Sequence, residues 1–235
     1  MFVRIPRCFP GNRKSDGVIG RFTVVTQRNW PCLEVVNSPH DESRGLWLVR
    51  HGESTWNNLG LIQGHADGPV LTERGRAQSQ DVAHRLPVGV VEAIYASDLE
   101  RAQETATFVG SELGLPVSSH NALRERCFGV LEGRPLSDLD PAHSGIRDER
   151  VIDATARPEG GESLDDLYGR VGTFLEWLGD QPHAGDVVLV THGGTIRALR
   201  AYCAGEPMLD STWSEVPNGS VWNVRQPAIV HATNG

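Results

Sequence analysis

Three short apolar runs, each ending abruptly in polar residues, set the pattern of the chain. Leu46-Trp47-Leu48-Val49 runs into Arg50-His51-Gly52, Val90-Val91-Glu92-Ala93-Ile94-Tyr95 into Ala96-Ser97-Asp98, and Asp186-Val187-Val188-Leu189-Val190 into Thr191-His192-Gly193-Gly194. Runs of this kind mark strands buried on both faces of a sheet. Between them the spacing turns helical. Thr72 stands as an N-cap before Ala77, Val82, Ala83 and Leu86. Ser97 with Glu100 fits a capping box for a helix whose inner face is Leu99, Ala102, Ala106, Val109 and Leu113, closed by Gly114. Ser163 with Asp166 caps a stripe of Leu164, Leu167, Val171, Phe174 and Leu178. Thr195 to Ala204 reads as a helix stopped by Gly205, and Asn218-Gly219 as a turn before a last strand at Ser220 to Val224. Strands alternating with helices predict an α/β fold, a single three-layer domain with a mostly parallel central sheet and helices on both faces.

Other stretches are less regular. Thr55 to Gly68 reads as a polar loop, and Gly133 to Gly161, charged and weakly periodic, as a surface excursion. Residues 1–44 carry seven arginines and lysines against four acids, whereas the whole chain has a formal charge of −8. They lack the apolar core of a signal peptide. They are expected to be a poorly ordered extension or the product of an upstream start, with Phe22 to Val25 as a short strand candidate, and the domain is expected over 45–235. No uncharged apolar run is long enough to span a bilayer. The acidic balance speaks against a general nucleic-acid binder. Cys8, Cys32, Cys127 and Cys203 are too widely spaced for a ligand cluster and read as free thiols in a reducing, cytoplasmic compartment. The nine histidines show no metal-ligand spacing. No metal and no cofactor are expected.

The chemistry collects at the strand ends, where open α/β sheets place their ligand sites. Arg50 offers a permanent charge and a planar fork of donors suited to phosphate oxygens. His51 offers a ring nitrogen that is nucleophilic when neutral. Arg101 lies one turn into the helix after Ser97-Asp98, and His192 stands just before a helix N-terminus, which favours an anion. Each has a plain alternative: Arg101 as a solvated helix residue, His192 as a capping or core histidine. Their occurrence together, each at a strand end, favours the functional reading. Gly160-Gly161-Glu162-Ser163 and His192-Gly193-Gly194-Thr195 lack the G-K-[ST] of a nucleotide loop, and Asn218-Gly219-Ser220 reads as a turn rather than a glycosylation site.

From Arg50 to about Trp222 the sequence resembles the histidine phosphatase superfamily, the phosphoglycerate-mutase-like enzymes. The resemblance rests on Arg50-His51-Gly52-Glu53-Ser54, Asn57, Gln63-Gly64, Leu71-Thr72-Glu73-Arg74-Gly75, Ser97-Asp98-Leu99-Glu100-Arg101-Ala102, Leu123-Arg124-Glu125, Phe128-Gly129, Glu132-Gly133, Gly160-Gly161-Glu162-Ser163 and Val190-Thr191-His192-Gly193. It implies that His51 is the nucleophile that takes up the phosphoryl group, with Arg50, Arg101 and His192 as the phosphate pocket. Glu125 would be the proton donor, and Asn57 and Gln63 further phosphate contacts. Those roles suit phosphoryl transfer, which needs in-line positioning and cationic donors around the equatorial oxygens. Two arginines and a protonated His192 would supply the charge without a metal. An alkyl-phosphate leaving oxygen also needs a proton, hence an acid. The bland reading of Glu125 is a surface ion pair with Arg124 or Arg126, and Glu53, beside His51, is the rival acid.

The resemblance implies a phosphatase or a mutase. A mutase of the family would carry an arginine pair in an insert after Glu125, whereas 134–158 offers only scattered Arg147, Arg150 and Arg157. That favours a phosphatase acting on a small phosphorylated molecule, with no nucleic acid and no membrane as partner and with a homodimer left open. A non-catalytic phospho-ligand module on a dead enzyme fold is the alternative from another class, and the intact set of five residues argues against it. Segment 134–158, with Trp56, Phe128 and Trp213 as walls, is expected to set the substrate.

Overall fold

The computed structural model describes residues 44–209 and 211–225. In chain order the elements are β1 (Gly45–Arg50), α1 (Thr55–Asn58), α2 (Glu73–His84), β2 (Val91–Ala96), α3 (Glu100–Leu113), β3 (Val117–Ser119), α4 (Pro141–Ser144), β4 (Ile146–Arg147), β5 (Arg150–Val151), α5 (Leu164–Gly179), β6 (Asp186–Thr191), α6 (Gly193–Ala204) and β7 (Val221–Arg225). Five strands form one sheet in the order β3-β2-β6-β1-β7, parallel except for β7, which runs antiparallel against β1. The expectation of an α/β domain with a mostly parallel sheet is met. The candidate strand at Phe22 to Val25 lies outside the described residues.

The apolar runs behave as strands buried on both faces should. Leu46, Leu48, Val187 and Leu189 pack on one side with the stripe of α5 and with Ile196, Ala198 and Leu199 of α6. Val49, Val188 and Val190 pack on the other side with Val82 and Ala83 of α2 and Ala102, Ala106 and Val109 of α3. Leu164, Leu167, Val171, Phe174 and Leu178 are all buried. At about 1.5–3 kcal/mol for each large apolar side chain removed from water, this stripe is a main anchor of one face.

Caps divide into expected and unexpected. Thr72 accepts from Gly75 N, and Ser163 and Asp166 form the anticipated reciprocal box. Ser97 does not cap α3. Its N-cap is Leu99, with no side-chain cap bond, because the Ser97 hydroxyl is engaged by His192. Instead Ser54 and Asn57 make a capping box within the stretch expected to be loop, opening the four-residue α1. The C-terminal glycines Gly114 and Gly205 take the left-handed conformation, with φ 66° and 69°.

Segment 133–161 is an excursion with structure of its own, namely α4 and the hairpin β4–β5, whose turn places Asp148 and Glu149 at positive φ. Its two ends are stitched together: Val130 N donates to Glu159 O (3.1 Å) and Glu162 N to Cys127 O (2.9 Å). Gly129 (φ 51°) makes this closeness possible, since a Cβ there would meet Glu159 O at 2.1 Å. Arg126, buried to 1 % exposure, donates to the carbonyls of Ser144, His143, Ala156 and Glu162 and so pins the excursion from inside.

Arg44, assigned from sequence to the extension, belongs with the fold. Its guanidinium donates to the carbonyls of Leu178, in the last turn of α5, and of Gln181 and His183 just beyond it. Cys127 and Cys203 are free thiols; Cys8 and Cys32 lie outside the described residues. Among the described residues no helix is long and apolar enough to cross a membrane, and no group of three or more His, Cys, Asp or Glu is placed to hold a metal ion.

Candidate active site

The three strands that carry polar ends are neighbours in the sheet, so their ends meet. The ladder continues one residue beyond each strand: His51 N donates to Thr191 O (3.0 Å) and Ser97 N to Val190 O (2.9 Å). This sets His192, at the end of the middle strand β6, between His51 on one side and Ser97 with Arg101 on the other. The His51 and His192 rings meet edge to face with centroids 5.0 Å apart. Both are buried, at 2 % and 0 % exposure.

The tautomer of His51 follows from its partner. Its Nδ1 lies 2.7 Å from the carbonyl oxygen of Gly52. A carbonyl only accepts, so Nδ1 carries the hydrogen and Nε2 keeps its lone pair. Burial, with Arg101 and Arg50 nearby, holds the pKa of His51 well below the usual histidine value. The ring is therefore neutral and its Nε2 nucleophilic.

His192 is held neutral by the same causes, burial first, then Arg101, His51 and Arg50. The expectation of a protonated His192 is thus corrected for the protein without an anion: positive charge comes from the arginines. His192 Nε2 pairs with the Ser97 hydroxyl at 2.8 Å, and Leu99 N donates to that same oxygen at 3.3 Å. Assigning the Ser97 proton to Nε2 leaves the hydrogen on Nδ1. That Nδ1 is buried without a hydrogen-bond partner, as are Nε of Arg50 and Nε of Arg101. Three orphaned donors around one histidine are what a bound oxyanion would satisfy.

Both arginines are fixed by main-chain carbonyls and neither forms an ion pair among the described residues. Arg50 Nη1 donates to Val216 O, and Arg101 Nη2 to Gly64 O (2.8 Å). Burial lowers the pKa of both, that of Arg101 to about 10. They stay charged at neutral pH.

Asn57 and Gln63 lie beside this pocket, held by their oxygens. Asn57 Oδ1 accepts from Ser54 N (3.1 Å) and Asn218 Nδ2 (3.1 Å), while Gln63 Oε1 accepts from the Ser54 hydroxyl (2.8 Å). Their NH₂ groups are what remains to offer a ligand. Asn218, read from sequence only as a turn residue, also approaches the carbonyls of His51 (3.2 Å) and Gly52 (3.4 Å). It closes the site from the β7 side.

Glu125 is half-buried and fixed at both oxygens: Oε1 accepts from Arg126 N (2.8 Å) and Oε2 from Gly194 N (3.0 Å), the second residue of α6. Its own carbonyl accepts from His65 Nε2 (2.7 Å) and Arg170 Nη2 (3.1 Å). The surface ion pair is not formed. Arg124 pairs with Asp98 at 2.6 Å, and the Arg126 guanidinium is committed to backbone carbonyls. The rival acid Glu53 turns to Thr72 Oγ1 (2.9 Å) and Arg74 (3.4 Å), at the start of α2. His65 and Arg170, which tether the Glu125 backbone, carry no sequence signal for that role.

The sequence model of the histidine phosphatase superfamily (branch 1) matches residues 46–227 of this chain. The chain belongs to that superfamily. Among curated members it is 42% identical over 159 residues to "Phosphoglycerate mutase-like protein 4" of Arabidopsis thaliana, across 65% of this chain and 67% of the relative. It is 37% identical over 164 residues to "Probable phosphoglycerate mutase GpmB" of Yersinia pestis (strain Pestoides F), across 69% of this chain and 75% of that one. Among solved structures it resembles a mycobacterial glucosyl-3-phosphoglycerate phosphatase complexed with VO3, with TM-score 0.65 and 33% identity, covering 77% of this chain and 92% of that one. The protein TTHB049 from Thermus thermophilus is similar at TM-score 0.61 and 36% identity, covering 80% of this chain and 97% of that one. Superfamily members thus include both a phosphatase and mutase-like proteins.

Proposed function

We propose that the chain is a phosphatase that hydrolyses a small phosphorylated metabolite, working in the cytoplasm through a phosphohistidine on His51. The observation that carries this reading is the neutral His51 with its free Nε2, ringed by the orphaned donors of Arg50, Arg101 and His192. In the first step Nε2 attacks phosphorus in line, and the bond to the substrate oxygen breaks. Arg50, Arg101, His192 Nδ1 and the amides of Asn57 and Gln63 hold the equatorial oxygens. Glu125 gives the departing oxygen its proton. In the second step the Glu125 carboxylate takes a proton from water as that water displaces His51 and releases phosphate.

Water as acceptor, rather than a second hydroxyl of the substrate, is favoured by the excursion. Arg134 pairs with Asp138 (2.9 Å) and Arg157 with Asp166 (3.1 Å), while Arg147 and Arg150 are exposed. Among the described residues, the excursion's arginines are thus either engaged in ion pairs or exposed, which supports water over a retained phosphorylated acid as the acceptor.

The test is to trap the intermediate. Turnover quenched in alkaline detergent should leave base-stable, acid-labile phosphate on the wild-type protein and none on His51→Ala, whose turnover should be abolished. Full labelling and activity in His51→Ala would refute the assignment.

A further inference from the structure

The loop that carries His51 is fastened one peptide plane at a time. The plane between His51 and Gly52 is held on both sides: its N–H donates to Thr105 Oγ1 (3.1 Å), and its oxygen accepts from Gly219 N and Asn218 Nδ2 (both 3.2 Å). The next plane, between Gly52 and Glu53, presents the oxygen that takes the Nδ1 hydrogen of His51 (2.7 Å). On the far side of that plane, Glu53 N–H donates to Oε1 of Gln78 (2.8 Å). Gln78 lies on the second turn of α2, and the phosphatase reading gives it no role.

The start of α2 is set directly against this loop. A Cβ on Gly52 would meet Gly75 O at 2.1 Å, and one on Gly75 would meet Glu53 O at 2.0 Å. Gln78 Cβ stands 2.8 Å from where a Cβ on Gly219 would lie, so the same side chain also packs against the turn that carries Asn218.

A chain of bonds thus runs from Gln78 Oε1 through Glu53 N–H and Gly52 C=O to His51 Nδ1–H, with Nε2 at the reactive end. Only an acceptor can receive the Glu53 N–H, and that fixes which way the peptide faces. Turned over, the same plane would offer His51 an N–H in place of an oxygen. Nδ1 would then have to accept, the hydrogen would sit on Nε2, and the nucleophilic lone pair would be gone. Asn218 Nδ2 approaches the Gly52 oxygen too, but at 3.4 Å and shared with His51 O and Asn57 Oδ1. Hydrogen bonds in series also polarise one another, so acceptance by Gln78 strengthens the Gly52 oxygen as partner of Nδ1–H.

We propose that Gln78 is a positioning residue, acting through the Gly52–Glu53 peptide to keep the hydrogen of His51 on Nδ1 and leave Nε2 free to attack phosphorus. The attack rests on the phosphatase reading, whereas the tautomer is a property of the resting protein and is read without substrate.

Nitrogen NMR of histidine-labelled protein tests it, the His51 ring signals being identified by their absence from His51→Ala. Wild type at pH 7.5 should show a protonated Nδ1 and a bare Nε2. Gln78→Met, similar in length but without an oxygen, should populate the Nε2–H tautomer. It should also slow single-turnover phosphorylation by about three- to tenfold, the worth of one net hydrogen bond. Affinity for inorganic phosphate should stay within about twofold. Gln78→Glu, which keeps an acceptor in place, should restore the wild-type tautomer and most of the rate. A wild-type Nε2–H tautomer, or a tautomer unchanged in Gln78→Met, overturns the proposal whatever the rate does. So does loss of phosphate affinity along with the rate, which would make Gln78 a support for the whole site. A Gln78→Glu protein that behaves like Gln78→Met overturns it as well. Wild type that takes no phosphate on His51 would instead sink the phosphatase reading, with the tautomer measurement still deciding what Gln78 holds in place.

Discussion

Glu125 Oε2 and the backbone N–H of Gly194 are 3.0 Å apart, so the proposed acid is seated on the first turn of the helix that His192 caps. Nucleophile side and acid side are thereby tied to one rigid element. Glu125→Gln should lower turnover of alkyl phosphates by about 10²–10⁴, with a much smaller loss on p-nitrophenyl phosphate, whose leaving group departs unprotonated. The absence of a pre-steady-state burst of leaving group establishes that phosphorylation of His51 limits the rate in this comparison. Equal losses on both substrates under that condition would remove Glu125 from the role of acid.

Gly194→Ala offers an independent probe. A Cβ at Gly194 would lie 2.4 Å from Glu125 Oε1, so the carboxylate must move. Turnover on alkyl phosphates should fall by about tenfold or more, in line with the sensitivity of catalysis to small displacements. p-Nitrophenyl phosphate should again be spared relative to the alkyl ester. An unchanged ratio of the two rates would mean that the carboxylate position does not matter.

The two buried histidines also predict how stability depends on pH. Both have folded-state pKa values below that of the unfolded chain, so the unfolded state binds more protons in acid. Their contribution is intact above about pH 6.5 and is lost as pH falls below it. Between pH 7 and 5.5 each such histidine should remove about 1 kcal/mol of unfolding free energy. Urea unfolding at the two pH values should show wild type losing more than His192→Asn by that amount. Parallel losses would mean that His192 is protonated in the folded state.

Much of this was legible in the chain because it is written in local periods. Alternation-free apolar runs gave the central strands, and capping pairs at Thr72 and Ser163 gave the helix starts. Ser97 shows the limit. Its spacing to Glu100 is that of a capping box, yet its hydroxyl meets His192, 95 residues away in sequence. A local rule has no access to a partner delivered by sheet order. Asn218 is similar: its turn chemistry was readable, but its contacts with His51, Gly52 and Asn57 depend on β7 lying beside β1. Arg126 misled in the other direction, since a charge run at Arg124-Glu125-Arg126 looks like surface while one member is buried beneath the excursion.

That burial has a measurable cost when its partner is removed. Arg126→Met would leave four backbone carbonyls without their donor, and each orphaned buried acceptor costs roughly 1–3 kcal/mol. Partial rescue by water brings the expected loss to about 3 kcal/mol or more, read as a lower urea midpoint. Because the same side chain pins the excursion next to Glu125, activity in native conditions should fall as well. A loss below about 1 kcal/mol, the ordinary worth of a single hydrogen bond, would show that the excursion closes without it.

We expect a chain beginning at Ser43 to fold and keep its catalytic constants, because the elements from Gly45 onward already form the sheet, its flanking helices and the strand ends that carry the site. Arg44→Met in that chain should lower stability by about 1–2 kcal/mol, since its guanidinium ties the carbonyls of Leu178, Gln181 and His183 to the start of β1. Thermal unfolding and steady-state rates check the two statements separately. Insolubility of the shortened chain would place part of 1–43 in the core.

The stitched ends of the excursion have a consequence for how such proteins diversify. Residues 130 and 159, and 127 and 162, are hydrogen-bonded neighbours, so everything between them leaves and re-enters the domain at a single point. Its exposed parts can change in length and composition while the spacing of His51, Arg101, Glu125 and His192 is left untouched, provided the carbonyls that hold Arg126 and the buried Val151 and Ala154 are kept. On the proposed function, reactivity and molecular taste then sit in separate parts of the chain, and the second can drift while the first stands still.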